Sequence, residues 1–255
     1  MFVKFYRALL TLLHISYAFI TLLRKAWTDA AQLELFNLSR SKVLTDTDYL
    51  VRCVRRVDQT RLPKHLVLIL GRERASLRDI VRVIAWSATA GIPCVSFYDY
   101  DGILRKNEEE ARRALAKFKP ELVDHVNWNS TCPVKAVKNG VNGVKHKLQV
   151  QLLSYTDGKR EVALLTQSLG KGVITGALKL EEINSDLLEN KLELGGHPDP
   201  DLAVVCGKTC STYGLLPWHI RTTEFLLLES HHNIRVNDFV NLLEKYAKCE
   251  QRYGK

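Results

Sequence analysis

His65–Leu70 reads "HLVLIL", and Gly71 closes it. An unbroken apolar run this short, ended by glycine, marks a strand covered on both faces of a sheet. Pro63 stands just before it and opens the main domain. Downstream, Ser76 predicts a helix N-cap, and Asp79 completes a capping box. Leu77, Ile80, Val81, Ile84 and Ala88 then fall on one helical stripe, and Gly91 ends the helix. "CVSFY", Cys94–Tyr98, follows as a second strand.

The same alternation runs on. Asn107 is expected to cap a helix with Glu108, Glu109 and Glu110 in its first turn and Lys117 and Lys119 near its end, the charge order a helix dipole prefers. "LQVQLLS" (148–154), "LAVVC" (202–206) and "EFLLL" (224–228) read as three more strands. Val236, Phe239, Val240, Leu243 and Ala247 form the stripe of a closing helix. The fold class is α/β, with a mostly parallel central sheet flanked by helices. Ligands of such sheets sit beyond the carboxyl ends of the strands. Gly71, Asp99 to Gly102 and Gly207 lie there.

The chain has 255 residues, 46% apolar and 25% charged, enough for a large core. The net charge is +9, of which residues 1–61 carry +5 through ten Lys and Arg against five acids. No basic run is interleaved with aromatics, so nucleic acid is not an expected partner. Cysteines stand at 53, 94, 132, 206, 210 and 249, without the spacing of a zinc site. They read as reduced thiols of a domain facing the cytosol.

Ala8–Leu23, "ALLTLLHISYAFITLL", is uncharged and bounded by Lys4 and Arg7 before and Arg24 and Lys25 after. It is short of the roughly 20 residues a spanning helix wants, but basic ends can snorkel. A membrane anchor is the expectation; a buried helix and a signal peptide are the other readings, though no Ala-x-Ala site closes the run. The organisation expected is an anchor over 1–28, a helical basic connector over 29–62, and the main domain over 63–255.

Several motifs test and fail. Asp99-Tyr100-Asp101-Gly102 at a strand end resembles the acid pair of a haloacid dehalogenase-like phosphatase, with Asp99 as nucleophile. That chemistry needs a later strand ending in acids, and "LAVVC" ends in Gly207-Lys208. "GKT" (207–209) lacks the earlier glycine of a phosphate loop, since Leu202 stands there. "GKGVITG" (170–176) reads as a loop. "HPDPD" (197–201) offers His197, Asp199 and Asp201 but reads as a rigid turn into the next strand. His231 and His232 are taken as surface residues. No metal site is expected in this chain.

"PKHLVLILG", "AGIPCVSFYDYDGILRKN", "LQVQLLSYTDGK", "PDPDLAVVCGK", "YGLLPWHIRTTEF" and "YAKCEQRYGK" together resemble the cis-prenyltransferase family, over all of residues 63–255. Within it the likeness is to the non-catalytic, accessory subunits of eukaryotic dehydrodolichyl diphosphate synthase. Catalytic members end the first strand in Asp-Gly-Asn, whose Asp holds the magnesium on the substrate diphosphate. Here Leu70 precedes Gly71 and Arg72 follows. Leucine offers a hard cation no oxygen. Where catalytic members carry Ser-Thr-Glu-Asn-Trp after the second strand, this chain has "DYDGIL". Where they carry an arginine-rich diphosphate clamp, it has "VVCGKTCSTYG".

The resemblance therefore implies a chain with no catalytic residues of its own. It implies a subunit of a heteromeric prenyltransferase that makes long-chain polyprenyl diphosphate for dolichol synthesis and protein glycosylation, at the endoplasmic reticulum membrane. Arg252-Tyr253-Gly254 matches the family's terminal Arg-x-Gly, which implies that Arg252 and Gly254 bind isopentenyl diphosphate in the partner's site. Arginine's planar fork suits diphosphate oxygens. The catalytic partner would supply Mg2+ and bind farnesyl diphosphate. Trp218, His219 and Arg221 in "LLPWHIRTTEF" are candidate interface residues, beside the helices that flank the late strands. The competing reading is a membrane receptor or scaffold with no prenyl-transfer role.

Overall fold

In a computed structural model of the protein, residues 61–128, 147–192, 194 and 196–249 are described continuously. Also described are Asp46, residues 48–54 and scattered positions between Tyr6 and Ile20. The chain divides into two compact units, Met1–Asp48 and Tyr49–Lys255. In the first, the described positions between Tyr6 and Ile20 are helical and exposed; Thr11 returns its hydroxyl to the Arg7 carbonyl at 2.8 Å. The rest of the expected anchor lies outside the described residues. Among the described residues no helix is long and apolar enough to cross a membrane.

The second unit holds a six-stranded sheet in which every pairing is parallel. Its strands are β1 (His65–Ile69), β2 (Cys94–Tyr98), β3 (Val126–Asn127), β4 (Leu148–Leu153), β5 (Leu202–Cys206) and β6 (Glu224–Leu228). The order is β3-β4-β2-β1-β5-β6, so the run that opened the sequence reading is central. Its partners sit in register on both sides, Leu68 beside Phe97 and beside Val204. β3 is the strand not anticipated. Two residues are too few to show a period.

Alternation along the strands sorts the core into two clusters. Leu66, Leu68, Val95, Phe97, Leu202 and Val204 face one side and meet the helices. Val67, Ile69, Tyr98, Leu153, Ala203 and Val205 face the other and meet Leu215 and Leu216. The larger cluster also takes in Leu50 and Val54, both buried. The compact unit thus begins at Tyr49, ahead of Pro63.

The helices covering the larger cluster are α1 (Leu77–Ala90), α2 (Ile103–Lys106), α3 (Glu108–Phe118) and, past α4 (Lys159–Ile174) and α5 (Ser185–Lys191), the closing α6 (Val236–Lys248). α1 ends as expected and starts at the expected cap, but the capping box does not close, because the Ser76 N–H donates to His231 Nε2 at 3.1 Å instead of to Asp79. The Ser76 hydroxyl and Asp79 bond reciprocally, and Gly91 adopts φ 81°, returning its N–H to Ala88 and Ser87. α6 packs through Phe239, whose ring lies 5.6 Å from Trp86.

Three expectations are corrected. Asn107 makes no side-chain cap on α3; it directly follows α2, and its amide nitrogen donates to the Ile103 carbonyl at 3.0 Å instead. "GKGVITG" is not a loop, because α4 runs through Gly170 and Gly172 to Ile174. Val162, Leu165, Leu169 and Val173 give α4 a half-buried stripe at helical spacing. His231 is not a surface residue: it is 1% exposed.

Candidate functional site

A cleft of about 760 Å³ opens at the carboxyl ends of β1, β2 and β5, where a parallel sheet of this class presents its ligands. Its walls come from Gly71 and Arg72 after β1, Tyr98, Tyr100 and Asp101 at the end of β2, Tyr155, Lys159 and Arg160 around the start of α4, and Ser211–Gly214 after β5. Gly71 has φ 65°, and a Cβ there would stand 2.9 Å from the Cys206 carbonyl oxygen. Only glycine lets the chain turn between two strand ends at that spacing. Leu70 beside it is buried. Tyr98 is buried as well and donates its hydroxyl to the Tyr213 carbonyl at 2.8 Å. Burial, chiefly, pushes its phenol up to about 12.

The cleft is electropositive. Arg160 stacks over the Tyr155 ring at 5.3 Å and donates to its hydroxyl. Arg72 and Lys159 are exposed and form no ion pair among the described residues. Asp101 is the one carboxylate on the lining. Against three cations and with Leu70 apolar, this donor set does not fit Mg2+, which wants several oxygen ligands. Lys159 and Arg160 were not singled out from sequence, because isolated basic residues carry no motif, and Arg72 was noted only as the residue after Gly71.

Asp99 faces away from such chemistry. It is 8% exposed, and its two carboxylate oxygens accept the backbone N–H groups of Asp101 at 3.2 Å and Leu104 at 3.0 Å. It caps the turn into α2, so neither oxygen is free to attack a phosphoryl group.

The remaining sequence candidates separate. Asp201 pins the start of β1 by accepting the N–H groups of Lys64 and His65, at 2.7 and 3.0 Å. "HPDPD" is thus the structural turn that its prolines suggested. His219 is buried, with Nδ1 2.8 Å from Asp199 and Nε2 2.7 Å from the Leu192 carbonyl. Its ring is an internal tie and not a surface contact. Trp218 is half-buried with Nε1 unpartnered, and the exposed Arg221 lies 6.0 Å over its ring. Arg252 and Gly254 lie outside the described residues.

Among the described residues one set of possible metal ligands converges, Glu73, His231 and His232, within 4.8 Å. Sequence reading missed it, since Glu73 and His231 are far apart in the chain. Hydrogen bonds already explain it. His231 Nδ1 donates to Glu73 Oε2 at 2.8 Å, while Nε2 accepts the Ser76 N–H at 3.1 Å. Both ring nitrogens are committed, so His231 is not poised to ligate a metal. Burial, and then the neighbouring His232, lowers its pKa and favours this neutral ring.

Two solved diphosphate synthases share this fold. The lavandulyl diphosphate synthase of Lavandula x intermedia superposes with a TM-score of 0.56 at 13% identity, covering 77% of this chain and 100% of that one. A probable undecaprenyl diphosphate synthase from Campylobacter jejuni gives 0.51 at 18%, covering 76% and 99%. No family model matches the chain. The human dehydrodolichyl diphosphate synthase complex subunit NUS1 is 34% identical over 76% of this chain and 68% of its own length. The NUS1 subunit of Saccharomyces cerevisiae is 27% identical over 98% of this chain and 74% of its own. The chain belongs to the NUS1 family of dehydrodolichyl diphosphate synthase complex subunits, on the cis-prenyltransferase fold.

Proposed function

We propose that this chain is the accessory subunit of a heteromeric cis-prenyltransferase, inactive alone, that serves dolichol synthesis and protein glycosylation. One observation carries the reading. The chain keeps the fold and the strand-end cleft, but a buried Leu70 and three cations stand where a diphosphate-bound metal would need oxygen ligands. A catalytic partner supplies the aspartate, the magnesium and the elongation tunnel. Arg252 and Gly254 reach its isopentenyl diphosphate, where fixed donors offset the charge that builds as pyrophosphate leaves. Residues 1–28 anchor the complex at the endoplasmic reticulum membrane, with the main domain in the cytosol.

The partner's docking face is supported by the helices before β5. α4 has no fully buried residue along its length. Leu164 is 52% exposed, Ile174 86% and, beyond it, Leu180 68%. These side chains offer apolar area that a partner could bury. Trp218, half-buried with the exposed Arg221 6.0 Å over its ring, is a candidate anchor beside it. Arg252→Ala is the direct test. It should remove most prenyl transfer from the co-purified heterodimer while leaving the dimer intact. Near-normal turnover in the variant would refute the tail's role.

A further inference from the structure

Two of the cations on the strand-end cleft are held in place by the fold. Lys159 opens α4, where the loop after β4 meets the loop after β5. The two loops approach so closely that a Cβ on Gly158 would stand 2.1 Å from the Gly214 carbonyl oxygen. The Lys159 N–H donates to that same oxygen at 3.2 Å. Its side-chain stem lies along Gly214, where an added Cβ would meet the Lys159 Cγ at 3.5 Å and Cδ at 3.6 Å. Backbone and stem are both tied to the cleft wall, and the exposed ammonium forms no ion pair among the described residues. Arg160 is fixed by its stack on the Tyr155 ring and its bond to the Tyr155 hydroxyl. Arg72 follows the Gly71 turn on the same lining.

Like charges repel, so three cations on one cleft favour an anion among them. Neutral donors stand beside them. The Ser211 hydroxyl accepts the Tyr213 N–H at 3.3 Å, and the Thr212 hydroxyl accepts the Gly214 N–H at 3.4 Å. Each hydroxyl keeps its own proton to donate. The exposed Tyr100 and Tyr155 rings, 5.8 Å apart, add apolar surface to the lining. Three cations less the single Asp101 carboxylate leave the lining at +2. A phosphate monoester carries about −1.5 to −2 at neutral pH and offers three acceptor oxygens. Charge and donors match it. One carboxylate is too little for a hard divalent cation, so the match does not run through a metal. A cleft of about 760 Å³ also has room for the group that the phosphate esterifies.

We propose that this cleft binds a phosphate monoester without a metal ion. Arg72, Lys159 and Arg160 hold the phosphate oxygens, Ser211 and Thr212 donate to them, and Tyr100 and Tyr155 offer apolar surface to the esterified group. The monoester is a lipid headgroup or a free phosphate compound, and the recognition chemistry is the same for both. This goes beyond the accessory-subunit reading and does not depend on it, because binding is a property of the chain alone.

The test uses the full chain in neutral detergent with magnesium chelated. Calorimetry reads the binding of two probes, inorganic phosphate and hexyl phosphate. Hexyl sulfate, a monoanion of like shape, should bind ~10-fold more weakly than hexyl phosphate. Lys159→Gln and Arg160→Gln should each weaken hexyl phosphate binding ~10-fold. Asp101→Asn removes the one opposing charge and should tighten it ~3-fold, a gain that a damaged fold does not give. Hexyl phosphate binding well above inorganic phosphate assigns the lipid source, and equal affinities assign the free compound. Failure of both probes to bind would overturn the inference. Hexyl sulfate binding as well as hexyl phosphate, unchanged affinity in both Gln variants, or binding that appears only when magnesium is restored would do the same. The prenyl-transfer role is tested separately, by Arg252→Ala.

Discussion

Gly71 turns the chain at the one point where β1 and β5 leave no room for a side chain. A substitution there meets both a left-handed φ and the Cys206 carbonyl. Gly71→Ala should lower stability by about 1–3 kcal/mol, read as a drop in thermal midpoint. An unchanged midpoint would mean the turn relaxes freely. Asp99 lies nearby with the opposite lesson. Asn keeps one acceptor of two, so Asp99→Asn should cost about 1 kcal/mol and leave the heterodimer's prenyl transfer intact. Loss of a phosphatase activity in that variant would instead revive the nucleophile reading. Glycine after an apolar run, and a leucine just before it at position 70, were visible in the sequence because each depends on one residue type at one place. The Glu73–His231 pair was not. Its members are 158 positions apart, and nothing local announces that they meet.

Elements were legible to the extent that they carry a period. β1, β2 and β5 are largely apolar runs, β4 alternates apolar residues with Gln149 and Gln151, and α1 and α6 have stripes and caps that local chemistry explains. α4 was misread because Gly170 and Gly172 suggested a loop, while the spacing of Val162, Leu165, Leu169 and Val173 outweighs the roughly 1 kcal/mol that each glycine costs a helix. The head of β1 makes a prediction of its own. His65 is fully buried, with Nδ1 2.7 Å from the Pro198 carbonyl and Nε2 2.7 Å from Ser96 Oγ. Burial lowers its pKa from 6.5 to about 4. The folded chain therefore binds fewer protons than the unfolded chain between those values, and stability is lost as pH falls through that window. The contribution is roughly 3 kcal/mol in all. Denaturation midpoints should decline from pH 7 to 4.5, and the His65 ring signals should not titrate above pH 5. Titration near pH 6.5 would show that the ring is charged in the fold.

At the scale of the whole molecule, the fold is shared with diphosphate synthases and the cleft at its strand ends is basic. A parallel sheet with a buried core supports the same strand ends whether they carry metal ligands or not. Leu70, Tyr98 and Tyr213 turn that region toward packing, and Arg72, Lys159 and Arg160 make it basic. Leu164, Ile174 and, beyond the helix, Leu180 are exposed along α4 and the segment after it. Sequence alone located the strand ends. It did not foresee the basic wall, since that wall is assembled from three separate loops.

The most direct measurement is prenyl transfer from labelled isopentenyl diphosphate to farnesyl diphosphate in the presence of magnesium. The purified chain is assayed alone and again after co-expression with a catalytic cis-prenyltransferase subunit. The account predicts no product from the chain alone and long-chain polyprenyl diphosphate from the pair, well above the catalytic subunit by itself. Product from the chain alone, or a stable pair no more active than its catalytic member, would contradict it.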